Sequence, residues 1–353
     1  MRKLRLIGLV IGLCALAAAF SGGGEAVTPP GTVVMSNLDN PRHLAFGPEG
    51  GLYVAEAGRG GSGPCIFLRG ATQCAGPSGA VSRLWNGVQE RVVTGLPSYA
   101  PASGNLAYGP QAVSLHGHGG AYVTIGLAGG AGFPPSPFRA IMGEGFGRTV
   151  RFEPSGSWRY EDDIGGYEEA NNPDENVRDS NPYGILAEPG GRVLTDAGGN
   201  DLLRVRSNGD ISTLAVFPAR PGRSTDAVPT SVAVGPDGAY YVGELSGLPF
   251  NVGDAHVYRV VPGQLPQQYG PTFSFIIDLT WGPDGHLYVL QFATLAGNTG
   301  PGILYRLEAD GTKTPVVTDL VAPGGVAFGP DGALYISNKS VLAGTGEVLR
   351  IEP

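Results

Sequence analysis

Gly-Pro-Asp-Gly occurs three times, starting at Gly235, Gly282 and Gly329, and the copies stand 47 residues apart. After one or two further residues each leads into an apolar run that carries a tyrosine. Proline in second place fixes φ and the last glycine tolerates φ > 0, so the tetrapeptide reads as a turn between two strands. A strand-turn-strand unit cannot bury both of its faces alone, and constant spacing means that it stacks on copies of itself. A period near 47 residues is that of a β-propeller blade.

Following the phase backward recovers degenerate copies. Pro229-Thr-Ser-Val-Ala-Val234 and Pro323-Gly-Gly-Val-Ala-Phe328 match Pro41-Arg-His-Leu-Ala-Phe46, which runs into Gly-Pro-Glu-Gly. Pro110 to Leu115 and Pro182 to Leu186 supply two more, and Ile276 takes the proline's place in the unit centred on Trp281. Six units result, and the expected fold is an all-β, six-bladed propeller. Large residues such as Leu44, Phe46, Leu279 and Trp281 alternate with small or polar ones, the period-two pattern of a strand. Small residues near the axis suit the taper where six blades converge.

Third strands are expected at Ala80–Leu84, Leu202–Val205, His256–Val260, Ile303–Leu307 and Glu347–Ile351. The last unit has no fourth strand of its own. Thr32–Met35 copies one, because Gly-Thr-Val-Val-Met-Ser-Asn-Leu before Pro41 parallels Thr-Pro-Val-Val-Thr-Asp-Leu before Pro323. An N-terminal strand is therefore expected to complete the last blade and close the ring, which hides the sheet edges.

The first 20 residues carry Arg2, Lys3 and Arg5, then an apolar run from Leu6 to Leu16 and three alanines. This is the pattern of a secretory signal peptide, cleaved after a residue between 19 and 26. Residues 27–353 are then one propeller, and the expected location is extracytoplasmic, periplasmic or secreted. Losing the leader takes the formal charge from −8 to about −11 and leaves Lys313 and Lys339 as the only lysines, which argues against nucleic acid as a partner. No membrane span is expected after the leader, and a monomer is expected. In an oxidising compartment Cys65 and Cys74 would form a disulfide that closes a small glycine-rich loop.

The early units start 69 and 72 residues apart and so carry insertions. One runs from 58 to 79 and holds the cysteines, a second from 126 to 147, and a third from 160 to 181 with eight acidic residues against one arginine. Insertions on a rigid scaffold are where binding function concentrates. Glu168 to Asn181 is dense enough in oxygen donors for a calcium loop, without the spaced order of an EF-hand; a solvated acidic loop is the competing reading. Phe133-Pro-Pro-Ser-Pro-Phe138 reads either as a hydrophobic lip for an aromatic or sugar ligand or as loop packing.

Antiparallel first and second strands bring the start of one and the end of the other to the same face. That face gathers Arg42, His43, Gln111, Tyr183, Thr230 and Asp278 from the strand-one starts. From the strand-two ends it gathers Glu56, Asp196, Glu244, Gln291 and Asn338, with Ile125 breaking the series. Together they form a candidate polar funnel over the channel, the candidate ligand-binding site; alternatively the side chains cap neighbouring strands. Carboxylates from several blades, Glu56, Asp196 and Glu244, could converge on a divalent cation such as calcium. Of the five histidines, His116, His118 and His286 belong to the opposite face, and His256 begins a third strand away from the axis. His43 is the candidate catalytic residue, a base acting with Glu56 or Asp278. No serine-elbow, phosphate-loop or HExxH pattern is present.

Four segments carry a resemblance to a known family: Asn40-Pro-Arg-His-Leu-Ala-Phe-Gly-Pro-Glu-Gly, Gly63-Pro-Cys through Cys74 to Gly76-Pro-Ser-Gly-Ala, Asp179-Ser-Asn-Pro-Tyr-Gly184, and Tyr240-Tyr-Val-Gly-Glu-Leu-Ser-Gly-Leu-Pro-Phe250. In combination they resemble the ScyD/ScyE family, exported propeller proteins named after members encoded with the scytonemin pigment pathway of cyanobacteria. The resemblance spans about residues 31 to 353 and implies an extracytoplasmic, NHL-like propeller. It brings no established catalytic residues. Related six-bladed folds include the calcium- or zinc-dependent lactonases of the SMP-30 class, which place acidic and asparagine ligands at strand-one starts, where this chain has only Asp278 acidic.

Three functions stay open on the sequence. The first is a binding module for a small molecule, glycan or protein; the second is a metal-assisted hydrolase, lyase or metabolite-maturation enzyme; the third is an envelope interaction scaffold.

Overall fold

The computed structural model describes residues 31–117, 120–130, 133–219 and 225–352. The leader read at residues 1–26 and His118 lie outside them. Six antiparallel sheets follow one another around a central axis.

The first strand, β1 (Thr32–Leu38), stands apart from the blade that follows it. Blade one comprises β2 (Pro41–Phe46), β3 (Leu52–Glu56), β4 (Cys65–Leu68), β5 (Ala71–Trp85) and β6 (Val88–Ala100). Blade two has β7 (Pro110–His116), β8 (Gly120–Ile125), β9 (Arg148–Phe152) and β10 (Trp158–Asp163), with α1 (Pro135–Met142) between β8 and β9. A second helix, α2 (Ile164–Asn171), leads into blade three: β11 (Pro182–Glu188), β12 (Gly191–Asp196), β13 (Asp201–Arg206) and β14 (Ile211–Val216). Blade four is β15 (Pro229–Val234), β16 (Tyr240–Glu244), β17 (Ala255–Val260) and β18 (Gln267–Phe273). In blade five the strands are β19 (Ile276–Trp281), β20 (Leu287–Gln291), β21 (Gly302–Leu307) and β22 (Lys313–Leu320). Blade six has β23 (Gly325–Phe328), β24 (Leu334–Asn338) and β25 (Gly346–Ile351), and β1 pairs with β25 as its fourth strand. The ring closes as expected.

The repeated turn owes its regularity to a network of side chains. In Gly-Pro-Asp-Gly the last residue, Gly238, Gly285 or Gly332, has a positive φ near 77°. The turn aspartate then receives the hydroxyl of the tyrosine four residues on, Tyr241, Tyr288 or Tyr335, at 3.0–3.3 Å. An arginine from the third strand completes it: Arg259 with Asp237 at 2.6 Å and Arg350 with Asp331 at 2.8 Å. Blade one repeats the arrangement with Glu49, Tyr53 and Arg83. These groups lie far from the strand-one starts, so the motif that announces the fold is structural.

One expectation is corrected, and one pair of readings is decided. The third strand of blade one is much longer than Ala80–Leu84, because the cysteine-bearing insertion extends β5 backward into a hairpin with β4 instead of looping away. Cys65 and Cys74 face each other in that hairpin and form the disulfide. Of the two readings of the Phe133–Phe138 segment, packing is the one found: Pro134 opens α1, whose Phe138 is fully buried against Tyr99 and Phe146. No helix among the described residues is long and apolar enough to cross a membrane.

Candidate functional site

At the face where first strands start and second strands end, the ring encloses a cavity of 320 Å³. The residue after each strand-start position turns toward it, so Arg42, Gln111, Tyr183, Thr230 and Ile277 line it from five blades. Blade six offers Gly324 in that place, where an added Cβ would stand 2.7 Å from the Pro41 carbonyl oxygen. Apolar walls come from Leu106, Tyr108, Leu245, Phe250, Phe292 and Val341.

Four polar atoms on this lining are buried without a hydrogen-bond partner: Arg42 Nε, Gln111 Oε1, Asn181 Oδ1 and Asn298 Oδ1. Arg42 is anchored by donating to the Ala107 carbonyl at 2.7 Å, which leaves Nε as a fixed donor. Gln111 and Asn181 approach each other over Gly126, where an added Cβ would stand 2.7 Å from each side-chain amide. Thr230, by contrast, spends its hydroxyl on the Ile276 carbonyl at 2.8 Å. Burial pushes the Tyr183 phenol up, and Arg42 beside it moderates the shift.

The cavity also carries charge of both signs. Arg69 lies 4.5 Å over the Tyr108 ring and donates to the Ala128 carbonyl. Nearby Asp179 accepts from the Gly130 amide at 3.0 Å. Burial, reinforced by Asp196, raises Asp179 to about 6, against the pull of that amide and of Arg69. The unfolded chain ionises Asp179 from about pH 4 while the folded chain keeps its proton, so folding stability falls as pH rises from about 4 to about 6 and then levels. After solvent screening the expected loss is about 1–2 kcal/mol. Urea unfolding midpoints of wild type and Asp179→Asn across pH 4–7 check this, the variant lacking that part of the slope.

The strand-two ends behave differently. Glu56, Asp196, Glu244, Gln291 and Asn338 are all buried, and none lines the cavity. Four of their side chains turn back into the loops that lead into first strands. Glu56 accepts the Asp39 amide at 2.6 Å, Asp196 that of Asn181 at 2.6 Å, Gln291 that of Ser274 at 2.8 Å and Asn338 that of Val321 at 2.8 Å. Glu56 also takes two bonds from Arg91, and Glu244 takes the amide of His256 at 3.2 Å. Five of the eleven funnel residues thus cap strands. The cavity uses their next neighbours Ala197, Leu245 and Phe292, since consecutive strand residues face opposite ways.

Glu56, Asp196 and Glu244 belong to three different blades; Glu56 and Asp196 accept amides of the loops ahead of their first strands, and Glu244 accepts that of His256 on β17. Among the described residues no three His, Cys, Asp or Glu side chains already surround one point. His43 and Asp278 do come together, Nε2 to Oδ2 at 3.7 Å, although they belong to blades one and five. The bare backbone of blade six permits it: Asp278 accepts the Val326 amide at 2.8 Å, and Gly325 packs on the His43 backbone. This pair lies one residue along the same strands from the lining residues Arg42 and Ile277.

Tyr108, Asp226 and Asn298 carry no mark of a site in the sequence, while Arg69, Asp179 and Asn181 are marked only as parts of the insertions 58–79 and 160–181. Except for Asn298, whose loop matches that of blade four in length, they come from loops and insertions of unequal length, where the repeat gives no register. Position is a further signal, since Tyr108 and Asn181 sit just ahead of strand-start prolines.

Comparison with solved structures finds the same architecture in proteins of several activities. A virginiamycin B lyase from Staphylococcus aureus is similar with a TM-score of 0.50 and 14% identity, covering 89% of this chain and 96% of that one. A protein solved as a candidate gluconolactonase gives 0.54 and 12%, covering 92% and 93%. A candidate glucose dehydrogenase from Thermus thermophilus gives 0.53 and 18%, covering 90% and 98%. At such identities the likeness establishes the fold and leaves the reaction open. Neither a family model nor a curated relative matches the sequence.

Proposed function

We propose that the chain is an extracytoplasmic binding propeller that takes a small molecule into the cavity at the strand-one starts. The observation that carries this reading is the set of buried, unpartnered atoms Arg42 Nε, Gln111 Oε1, Asn181 Oδ1 and Asn298 Oδ1 on its lining. Each such atom costs about 1–3 kcal/mol when left without a partner, a cost that a ligand bearing complementary groups offsets. The volume suits a compact organic molecule, and the walls suit one with an apolar, ring-sized body. An oxygen acceptor on that body meets Arg42, and donor groups meet the two amide oxygens of Gln111 and Asn181. A monomeric, exported protein of the ScyD/ScyE kind fits this role.

The test is a thermal-shift screen of aromatic carboxylates and glycosides against the purified protein. A ligand present at 100 times its Kd should stabilise the wild type by about 2.7 kcal/mol. Arg42→Leu and Gln111→Leu should each weaken that ligand at least about tenfold, the scale of one lost hydrogen bond in a buried site. Undiminished binding in both variants would move the site elsewhere. A second reading, an acid-base enzyme, is favoured by the approach of His43 to Asp278. It predicts that His43→Ala keeps the ligand and loses its turnover.

A further inference from the structure

The acidic insertion holds two carboxyls in an unusual state. Glu168 on α2 and Asp201 at the start of β13 are each 1% exposed. Glu168 Oε1 and Asp201 Oδ1 are both buried without a hydrogen-bond partner. Their neighbour Asp196 is the opposite case, for its carboxylate accepts from Ser180 Oγ and from the amides of Asn181, Gly198 and Gly199.

Backbone geometry brings these groups to one place. Asp196 and Asp201 are direct partners across β12 and β13. Gly199, in the turn between them, leaves room for α2: a Cβ there would stand 3.1 Å from Glu168 Oε2 and 3.4 Å from Asp196 Cγ. Asp174 reaches the same turn through Asn200, Nδ2 to Oδ2 at 2.9 Å. Arg178 is the cation that bears on Glu168, but it is exposed and its Nε is spent on the Glu169 carbonyl.

A buried carboxylate without donors or a counter-charge costs several kcal/mol, and two facing one turn cost more. The surroundings supply oxygen atoms only, with no histidine or thiol, which is the donor chemistry of a hard cation. Calcium accepts six to eight oxygens in flexible geometry, so two carboxylates, main-chain carbonyls and water suffice without a third acidic ligand. We propose that Glu168 and Asp201 are the carboxylate ligands of a calcium-class divalent cation that ties α2 to the turn between β12 and β13. The same stretch supplies Asp179, Asn181, Ala197 and Gly198 to the cavity, so the cation would fix one wall of the binding site.

The experiment uses the full chain, stripped with EDTA and then titrated with Ca²⁺ by calorimetry and with Tb³⁺ by luminescence. The expected result is one site per chain and a melting temperature that rises with added Ca²⁺ and falls again with EDTA. Glu168→Gln/Asp201→Asn should abolish both signals while folding at least as well as the stripped wild type, since it removes the repulsion. The single variant Asp201→Asn, which perturbs the turn less, should weaken Ca²⁺ at least about tenfold, the loss of one charged ligand. No calcium-dependent shift in the wild type would overturn the proposal, leaving the pair neutral by holding protons. Undiminished Ca²⁺ binding in the double variant would overturn it as well, by placing the cation elsewhere.

Discussion

Asp162→Ala lowers stability by about 3–5 kcal/mol, the cost of stranding one member of a buried ion pair. Asp162 lies on β10 and Arg192 on β12, so the pair joins blade two to blade three, and both side chains are shielded from solvent. The guanidinium grips the carboxylate in two places, with Nε at 2.6 Å from Oδ2. Thr149 supplies a third contact through its hydroxyl, and the Asp162 amide returns one to it at 3.0 Å. The head of Arg192 also rests 4.6 Å over the ring of Tyr122, a residue of blade two. An arginine of one blade is therefore seated in the body of the preceding one, and deleting its carboxylate leaves a buried charge without its hydrogen-bonded partner. The urea unfolding midpoint measures the loss. The double change Asp162→Leu/Arg192→Met should recover most of it, because replacing both partners by apolar groups is nearly neutral where breaking one is not. A single variant as stable as the wild type would reduce the pair to the worth of a surface bridge.

Such inter-blade ties were beyond reach of the sequence, and the reason is register. The Gly-Pro-Asp-Gly turn is local, so its tyrosine and arginine partners recur at fixed offsets, and six units with strand exchange at the seam follow from pattern alone. The polar series at the strand-two ends is equally regular, and of its two readings, ligand funnel or strand caps, the hydrogen bonds present are those of caps. Glu56, Gln291 and Asn338 recur because each blade must cap the amide that leads into its first strand, a need the repeat imposes on itself. The cavity instead draws on residues that break the pattern. Arg42, Gln111 and Tyr183 share a slot yet no chemistry, and Asp179 and Arg69 belong to insertions of the early blades, whereas Asn298 lies in a loop that blade four repeats at the same length with Asn251 in its place. Repetition marks the scaffold, and departure from repetition marks what the scaffold holds.

Gly325→Val is expected to cost about 3 kcal/mol or more, at the upper end of overpacking changes. A Cβ on Gly325 would stand 2.6 Å from His43 Cα and 3.1 Å from the Leu44 amide. Both are main-chain atoms of β2 and cannot swing aside as a side chain would. Gly324 is equally confined, 2.7 Å from the Pro41 carbonyl oxygen. The innermost strand of blade six thus passes between its neighbours as bare backbone, held on one side by Asp278 through the Val326 amide, while Ser337 Oγ on the adjacent β24 donates to the Arg42 carbonyl of blade one at 2.6 Å. A branched side chain here pushes blade six away from blade one. That is the seam β1 must span to reach β25, so the displacement should loosen the closing strand as well as lower the unfolding midpoint. Limited proteolysis reads the first effect as faster cleavage near residues 31–40, and urea unfolding reads the second. Gly325→Ala should follow in the same direction with a smaller shift. The same movement carries Arg42 and His43 with it, so ligand affinity should fall in the valine variant even under conditions where the ring stays folded. An unaltered seam and unaltered affinity together would mean that β2 can retreat, and that closure of the ring does not depend on the glycines of blade six.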